Sequence, residues 1–424
     1  MVKPRTLTAN NKRDSNLLVY IFNIWTFILI ARPQDFIDKL ATLRPAFSVG
    51  IIVVIFYLLF HAKNENRLLS NQQCRLYLYL LAAMIMSIPF AYYRRGAFDF
   101  FFMKYMIVAV FFILFYKIVD NERNIKYILW TACLGNSIYL LCAVFQGEVI
   151  AGRLRFGQML DPNDLAFFAV SFIPLNFLFI SKNETFWKRI VSPVNIAVGI
   201  LVVLLSGSRG GFLALVIVVI MLFFTRAQII RKSYKIAVFV ITLIALIYGG
   251  ATIDYSRLET MTQIGGDYNV WDETGRLEVW MNGMRFMLSD PLTGVGVSCF
   301  GEAIGQDRAK RGLQEMWQAP HNSLVQIGAE TGIIGLVIFV LININVFKIC
   351  GRVRNISGKQ ELAIIGTIIQ IGFVGHFTAS MFLSQAYSGI WVLFVALSAT
   401  ILEMGRTRNN QQHSKNIETE KRYL

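Results

Sequence analysis

The chain has 424 residues, of which 55% are hydrophobic and 16% charged, with a net charge of +15. A soluble domain carries about 25% charged residues, so an ordinary soluble globular protein is excluded. The apolar residues come in continuous blocks without period-two alternation, which excludes a membrane β-barrel, and blocks of roughly 17–25 apolar residues can cross a bilayer as helices.

In chain order, a polar tail (1–16) precedes the first block, near 17–31. Leu17–Ile30 has no small-residue cleavage site behind it, so it reads as a first spanning helix and not as a cleaved signal. Further blocks lie near 46–61, 76–92, 100–116, 127–146, 164–181, 191–206, 210–225 and 234–250. Residues 17–250 thus predict nine helices. A polar stretch, 251–321, is followed by blocks near 322–347, 361–383 and 386–403 and a tail, 404–424, which from 406 onward reads as disordered. The fold class expected is an all-α polytopic membrane protein with about 12 transmembrane helices and one long loop that contains an amphipathic helix.

An even number of spans puts both termini on one side. With that side in the cytoplasm, the two tails and the loops near 62–75, 117–126, 182–190, 226–235 and 348–361 each carry at least three Lys or Arg, as cytoplasmic segments should. The basic balance is therefore topological, and nucleic acid is not expected as a partner. Of the five cysteines, only Cys299 falls in the long outer loop, so no disulfide forms within that loop.

The long loop carries Trp271, Trp280 and Trp317. Leu277, Trp280, Met281, Met284 and Leu288 fall on one face of a helix, opposite Glu278, Asn282, Arg285 and Ser289, and Asp290-Pro291 ends it. Such a helix either lies flat on the membrane surface or packs on the tops of the spans. In the next block Gly328, Gly332 and Gly335 form a small-residue stripe, and Gly366, Gly372 and Gly375 mark the block after it. Close helix contact explains both.

Arginines on the outer side are the main chemical signal. Arg153 and Arg155 sit in Gly152-Arg-Leu-Arg-Phe-Gly157, ahead of Asp161-Pro-Asn163; Arg209 sits in Ser206-Gly-Ser-Arg-Gly-Gly211; Arg276 opens the amphipathic helix. The guanidinium fork suits phosphate oxygens, and the glycines beside Arg209 can let backbone N–H groups approach an anion. The competing reading is contact with lipid headgroups, or ion pairs with Asp161, Asp272 or Glu273. Among four histidines, His321 alone falls at the outer surface, in Pro320-His-Asn-Ser323; His61, His376 and His413 lie elsewhere. It is either a proton acceptor near neutral pH or a helix-start residue with Asn322 as the cap. Glu330, inside a span, either engages a cationic group or bonds a neighbouring helix.

No acidic pair, Cys/His cluster, P-loop or serine-nucleophile motif is present, and no metal or cofactor is expected. A transferase on the outer face has no nucleotide sugar, so its activated donor would be a lipid diphosphate, with arginines neutralising the leaving group.

These motifs resemble the O-antigen ligase and polymerase superfamily of bacterial membrane proteins. The resemblance rests on Gly275-Arg-Leu-Glu-Val-Trp280, Asp290-Pro-Leu-Thr-Gly-Val-Gly296, His321-Asn-Ser323 with Glu330-Thr-Gly332, and the turn Ser208-Arg209-Gly210. It implies a periplasmic loop, an inner-membrane location, and a metal-independent, inverting transfer of a glycan from undecaprenyl diphosphate. Arg209 and Arg276 would hold the diphosphate and His321 would activate the acceptor hydroxyl. Arg153, Arg155 and Glu330 are candidate substrate-binding residues. The acceptor would be the lipid A core, the growing glycan or a protein hydroxyl, the last making the chain a protein O-oligosaccharyltransferase. A flippase or exporter of the lipid-linked glycan is the alternative from another class. It needs a polar path through the bilayer, whereas ionisable residues inside the spans are chiefly Glu330 and His376.

Overall fold

The computed structural model of the protein describes residues 9–60, 68–157, 161–226, 230, 232–252, 275–354 and 360–423. Before the polar stretch the main helices are α1 (Ala9–Ala31), α2 (Pro45–Phe60), α3 (Gln72–Ser87), α4 (Arg94–Ile118), α5 (Glu122–Gln146), α6 (Pro162–Phe179, its last turns 3-10), α7 (Phe186–Leu205), α8 (Arg209–Phe224) and α9 (Lys232–Thr252). After it come α10 (Arg276–Ser289), α11 (Phe300–Lys310), α12 (Ser323–Arg354), α13 (Gln360–Ser380) and α14 (Gly389–Tyr423). Among the described residues, nine helices are long and apolar enough to cross a membrane, namely α1, α3 to α7 and α12 to α14. Helices α2 and α8 are apolar but only 16 residues each. The chain is a multi-pass membrane protein.

Helix α13 lies at the centre of the bundle. A Cβ at Gly372 would sit 3.1 Å from the Phe394 ring, and one at Gly375 would sit 2.6 Å from Val218. These glycines let α14 and α8 come close, as the small-residue reading expected. His376 on the same helix is a bundle-core residue, with its ring 4.6 Å from that of Phe167 and Nδ1 3.2 Å from Ser171 Oγ.

The stripe in α12 works differently. Gly332 is not helical: with φ 71 and ψ −173 it breaks α12. The break strips the carbonyls of Ala329 and Glu330 of their helical partners, and the loop before α11 supplies replacements. Val295 N–H donates to Ala329 O at 2.8 Å, Gly296 N–H to Glu330 O at 3.1 Å, and Ile333 N–H to Pro291 O at 2.8 Å. A Cβ at Gly332 would lie 2.4 Å from Pro291 O, and one at Gly294 2.4 Å from Ala329 O. Gly294 and Gly332 thus allow two backbones to interlock, and the reading of Gly332 as a helix-contact residue is corrected.

Helix α10 ends where Asp290-Pro291 required, but its buried face is Val279, Gly283 and Phe286. The expected stripe is mostly outside, with Met281, Met284 and Leu288 exposed. The reason is close approach: a Cβ at Gly283 would meet Val325 at 2.3 Å and Phe300 at 3.1 Å. The small face seats α10 on α12 and α11 around a second core of Val279, Phe286, Val295, Phe300, Ala303, Ile304 and Ala329. Trp280 Nε1–H fixes the contact by donating to Pro320 O at 2.9 Å. Trp271, Asp272 and Glu273 lie outside the described residues, as does His61.

Two further elements depart from the sequence reading. The stretch with the paired arginines is an antiparallel hairpin, β1 (Glu148–Ile150) and β2 (Arg153–Arg155). Its turn residues Ala151 and Gly152 have φ 51 and 71, the conformation of a tight two-residue hairpin turn. The tail expected to be disordered from 406 instead continues α14 to Tyr423. It has no Pro, and past Gly405 it has no Gly, and it is rich in helix-favouring Arg, Gln, Lys and Glu.

Replacing Gly332 by Ala forces a side chain into left-handed φ against Pro291 O, and should cost at least about 2 kcal/mol. The apparent melting temperature of the detergent-solubilised protein should fall, whereas Gly351→Ala, which meets nothing within 4 Å, should leave it unchanged. Equal melting temperatures for the two variants would contradict the interlocked backbone.

Candidate functional site

Four polar segments meet at one end of the bundle: the β hairpin, the start of α6, the turn between α7 and α8, and the loop 381–388 before α14. The hairpin is held from below by Leu154 and Phe156, both buried, with Phe156 5.3 Å from the Tyr139 ring. Alternation along β2 then puts Arg153 and Arg155 on the other face. Arg153 Nε–H donates to Ser206 O at 2.9 Å and Nη2 to Asn163 Oδ1 at 3.0 Å. One guanidinium thus joins the hairpin to both the α7–α8 turn and the α6 start. Arg155 differs, because its buried Nε finds no acceptor among the described residues.

Asp161 caps α6, accepting from Asn163 N–H at 2.8 Å and from Asn163 Nδ2 at 2.7 Å. Ser208 caps α8, its Oγ accepting from Gly211 N–H at 3.1 Å. That makes Arg209 the first residue of α8, with an exposed side chain. Its neighbouring glycines allow close packing: a Cβ at Gly210 would lie 2.7 Å from the Phe382 ring, and one at Gly211 2.3 Å from Ala166. Those contacts press the α8 start against the loop 381–388 and α6.

The same loop holds His321. Its backbone N–H donates to Ser384 Oγ at 3.0 Å, and its φ is 45, left-handed for a residue with a side chain. Asn322 Oδ1 accepts from Leu324 N–H at 2.9 Å and Val325 N–H at 3.2 Å, so Asn322 caps α12 and His321 precedes it. The His321 imidazole is largely buried. Burial lowers its pKa below the ordinary value, the charge of Arg276 lowers it further, and Asp161 opposes both. Arg276 and Asp161 therefore both act on His321, and the ring is neutral at pH 7. Arg276 is the first residue of α10, after Gly275.

Two of the arginines thus occupy the first position of a helix. A cation is unfavourable there, because the N-terminal end of a helix already carries positive partial charge. The arrangement favours an anion; the α8 start and His321 both meet the loop 381–388, and the Arg276 charge acts on His321.

Glu330 belongs elsewhere. It is buried, accepting from Ser298 N–H and Tyr387 Oη–H at 2.7 Å each. These bonds tie the loop before α11 and the loop before α14 to the broken helix. Cys299, the loop cysteine, is free and buried, and burial pushes its thiol up to about 12.

One arginine escaped the sequence reading. Arg32, at the end of α1, donates from Nε to Asp35 Oδ2 at 2.9 Å, and Tyr139 Oη–H donates to the same oxygen at 3.1 Å. It lines a cavity with Asp164 and Gln385. The signal was available, since Arg32 falls on the outer side in the expected topology, as do the arginines that were singled out.

Among the described residues no three His, Cys, Asp or Glu side chains are grouped as a metal would need. Comparison with curated proteins gives no match. Residues 194–340 match the family model described as O-antigen ligase. The matched segment contains Arg209, Arg276, His321 and Glu330, whereas Arg32, the hairpin and Asp161 precede it. That segment, about a third of the chain, is similar to the O-antigen ligase family, which supports the superfamily that the sequence motifs resembled.

Proposed function

We propose that the chain is a bacterial inner-membrane transferase that moves a glycan from a lipid diphosphate, undecaprenyl diphosphate being the expected carrier, to an acceptor hydroxyl on the periplasmic face. Both termini would then be cytoplasmic, with α2, α8 and α9 completing the twelve spans and the site end of the bundle facing the periplasm. The observation that carries this reading is the pairing of two helix-opening arginines with a neutral, half-buried histidine. Arg209 and Arg276 bring positive charge to positive helix ends, a setting that favours a diphosphate. Arg155, whose buried Nε has no acceptor among the described residues, is a further donor for a phosphate oxygen, and Arg153 holds the frame around it.

In the transfer step His321 takes the proton of the acceptor hydroxyl. The oxygen attacks the anomeric carbon from the face opposite the diphosphate, the bond from that carbon to the phosphate oxygen breaks, and its electron pair leaves on the lipid diphosphate. The configuration at the anomeric carbon inverts. The arginines stabilise the charge that develops on the leaving group. Glu330 acts at a distance, by fixing the loops that carry the site.

Purified protein in detergent, given the lipid-linked glycan and acceptor, should release free lipid diphosphate without a membrane gradient, and EDTA should not slow it. Arg209→Ala and Arg276→Ala should each lower the rate at least about 10²-fold. The corresponding Lys variants should recover only part of it, because they keep the charge but lose the fork. Rates near wild type in both Ala variants would remove the diphosphate argument, and a protein that translocates the lipid in vesicles but turns nothing over in detergent would be a flippase.

His321→Ala should cost at least about 10²-fold. Because burial and Arg276 lower the His321 pKa, the acid limb of kcat/KM should fall below pH ~6.5, the ordinary histidine value. A profile flat across that range, or a His321→Ala enzyme of undiminished rate, would leave His321 as a helix-start residue only.

A further inference from the structure

A cavity of about 360 Å³ lies between α1, α4, α6 and α14, a volume in the range of ligand pockets. It is charged and polar at one end and mainly apolar along the rest. The polar end is made by Arg32 after α1, Asp164 in the first turn of α6 and Gln385 before α14. The apolar wall includes Leu29, Phe111, Phe167 and Leu393. Leu29 lies a turn below Arg32, Phe167 a turn below Asp164, and Leu393 a turn into α14. The wall reaches Thr26, six residues from Arg32, or about 9 Å along the helix. The charged groups thus lie at the site end, and towards the middle of the bundle the lining is apolar but for Thr26, whose hydroxyl donates to Phe22 O.

The polar end is continuous with the candidate site. Gln385 Nε2–H donates to Asp164 Oδ1 at 2.8 Å, and its backbone N–H donates to Ser323 Oγ at 3.1 Å. Ser323 is two residues from His321, and Ser384, next to Gln385, accepts the His321 N–H. Asp161, which acts on the His321 ring, lies three residues before Asp164. Arg32 is fixed at the mouth by its bond to Asp35, an acid whose side chain is fully buried.

We propose that this cavity receives the hydrocarbon chain of the lipid diphosphate donor, in the part nearest the phosphates, and that Arg32 contacts the diphosphate at its mouth. The inference rests on the transfer reading above and adds where the lipid lies. The donor requires this juxtaposition in every version of the transfer, because its chain is bonded directly to the diphosphate, so an apolar slot and a guanidinium must lie within a few bond lengths of each other. A protein hydroxyl as acceptor makes no such demand.

The test uses the full-length protein in nanodiscs with undecaprenyl diphosphate carrying a photoreactive diazirine on the chain near the phosphates. Labelled peptides should map to α1, α4, α6 and α14 around Leu29, Phe111, Phe167 and Leu393. Unlabelled undecaprenyl diphosphate should suppress the labelling, and equimolar phosphatidylglycerol should not. In parallel, Leu29→Trp and Leu393→Trp, which fill the cavity, should raise KM for the lipid-linked donor at least tenfold in whichever variant keeps the wild-type melting temperature. Labelling elsewhere, equal suppression by phosphatidylglycerol, or an unchanged KM in a folded variant would overturn the proposal. Labelling needs no turnover, so the two readings fail separately. Cavity labelling without any glycan transfer would sink the transferase and not the cavity, and transfer with labelling elsewhere would sink the cavity alone.

Discussion

The break in α12 at Gly332 is the constraint on which the site depends. A membrane helix that loses its hydrogen-bond ladder must find other partners for the exposed carbonyls, because lipid offers none. Here the partners are the amides of Val295 and Gly296, and Ile333 N–H returns the contact to Pro291 O. A stretch that sequence length alone would make an open loop is thereby locked to the bundle. The lock sits just after α10, which begins with Arg276, and on α12, which begins just after His321. Glu330, one turn from the break at most, adds side-chain bonds to Ser298 and Tyr387. Arg276 and His321 come from opposite ends of the described loop, and the interlocked backbone keeps them together.

Electrostatics then gives Arg276 two effects of opposite timing. Before the donor binds, its charge joins burial in keeping His321 neutral, and together they outweigh Asp161. Once a diphosphate lies against Arg276, the negative charge cancels that influence and favours the protonated ring. In the proposed reaction His321 therefore becomes a stronger base when the leaving group is in place. The same logic applies to the helix ends: a cation at the first position of α8 or α10 is unfavourable alone and favourable once an anion completes the arrangement.

The membrane class and the positions of the spans were legible because apolar blocks and charged loops are long-range signals that no local detail can hide. Arg209, Arg276 and His321 stood out as candidates because each interrupts such a signal, an arginine on the wrong side or a histidine where a loop re-enters the bilayer. Arg32 was hidden by its position: directly behind the first apolar block it reads as a flanking charge, and only its cavity distinguishes it. The hairpin was hidden because its strands are three residues long, too short for alternation to show. The α10 face was misread because side-chain size suggested the Met and Leu stripe, while the tightest contact is made by Gly283, which contributes almost no hydrophobicity. Gly332 was misread for a related reason, since a glycine needed for left-handed φ and one needed for helix contact look the same in a sequence.

The direction of the cavity constrains the stereochemistry of the site. In a lipid-linked donor the chain and the sugar leave the diphosphate from opposite ends. If the chain descends between α1, α6 and α14, the sugar must lie beyond the mouth formed by Arg32, Asp164 and Gln385. The bonds from Gln385 N–H to Ser323 and from His321 N–H to Ser384 tie the His321 backbone to the segment that forms that mouth. In the proposed reaction a hydroxyl held by His321 would have to face the anomeric carbon with the diphosphate behind it, the in-line arrangement that inversion requires. The proposed lipid slot and the histidine would then set the two ends of the reaction, with the arginines holding the diphosphate between them.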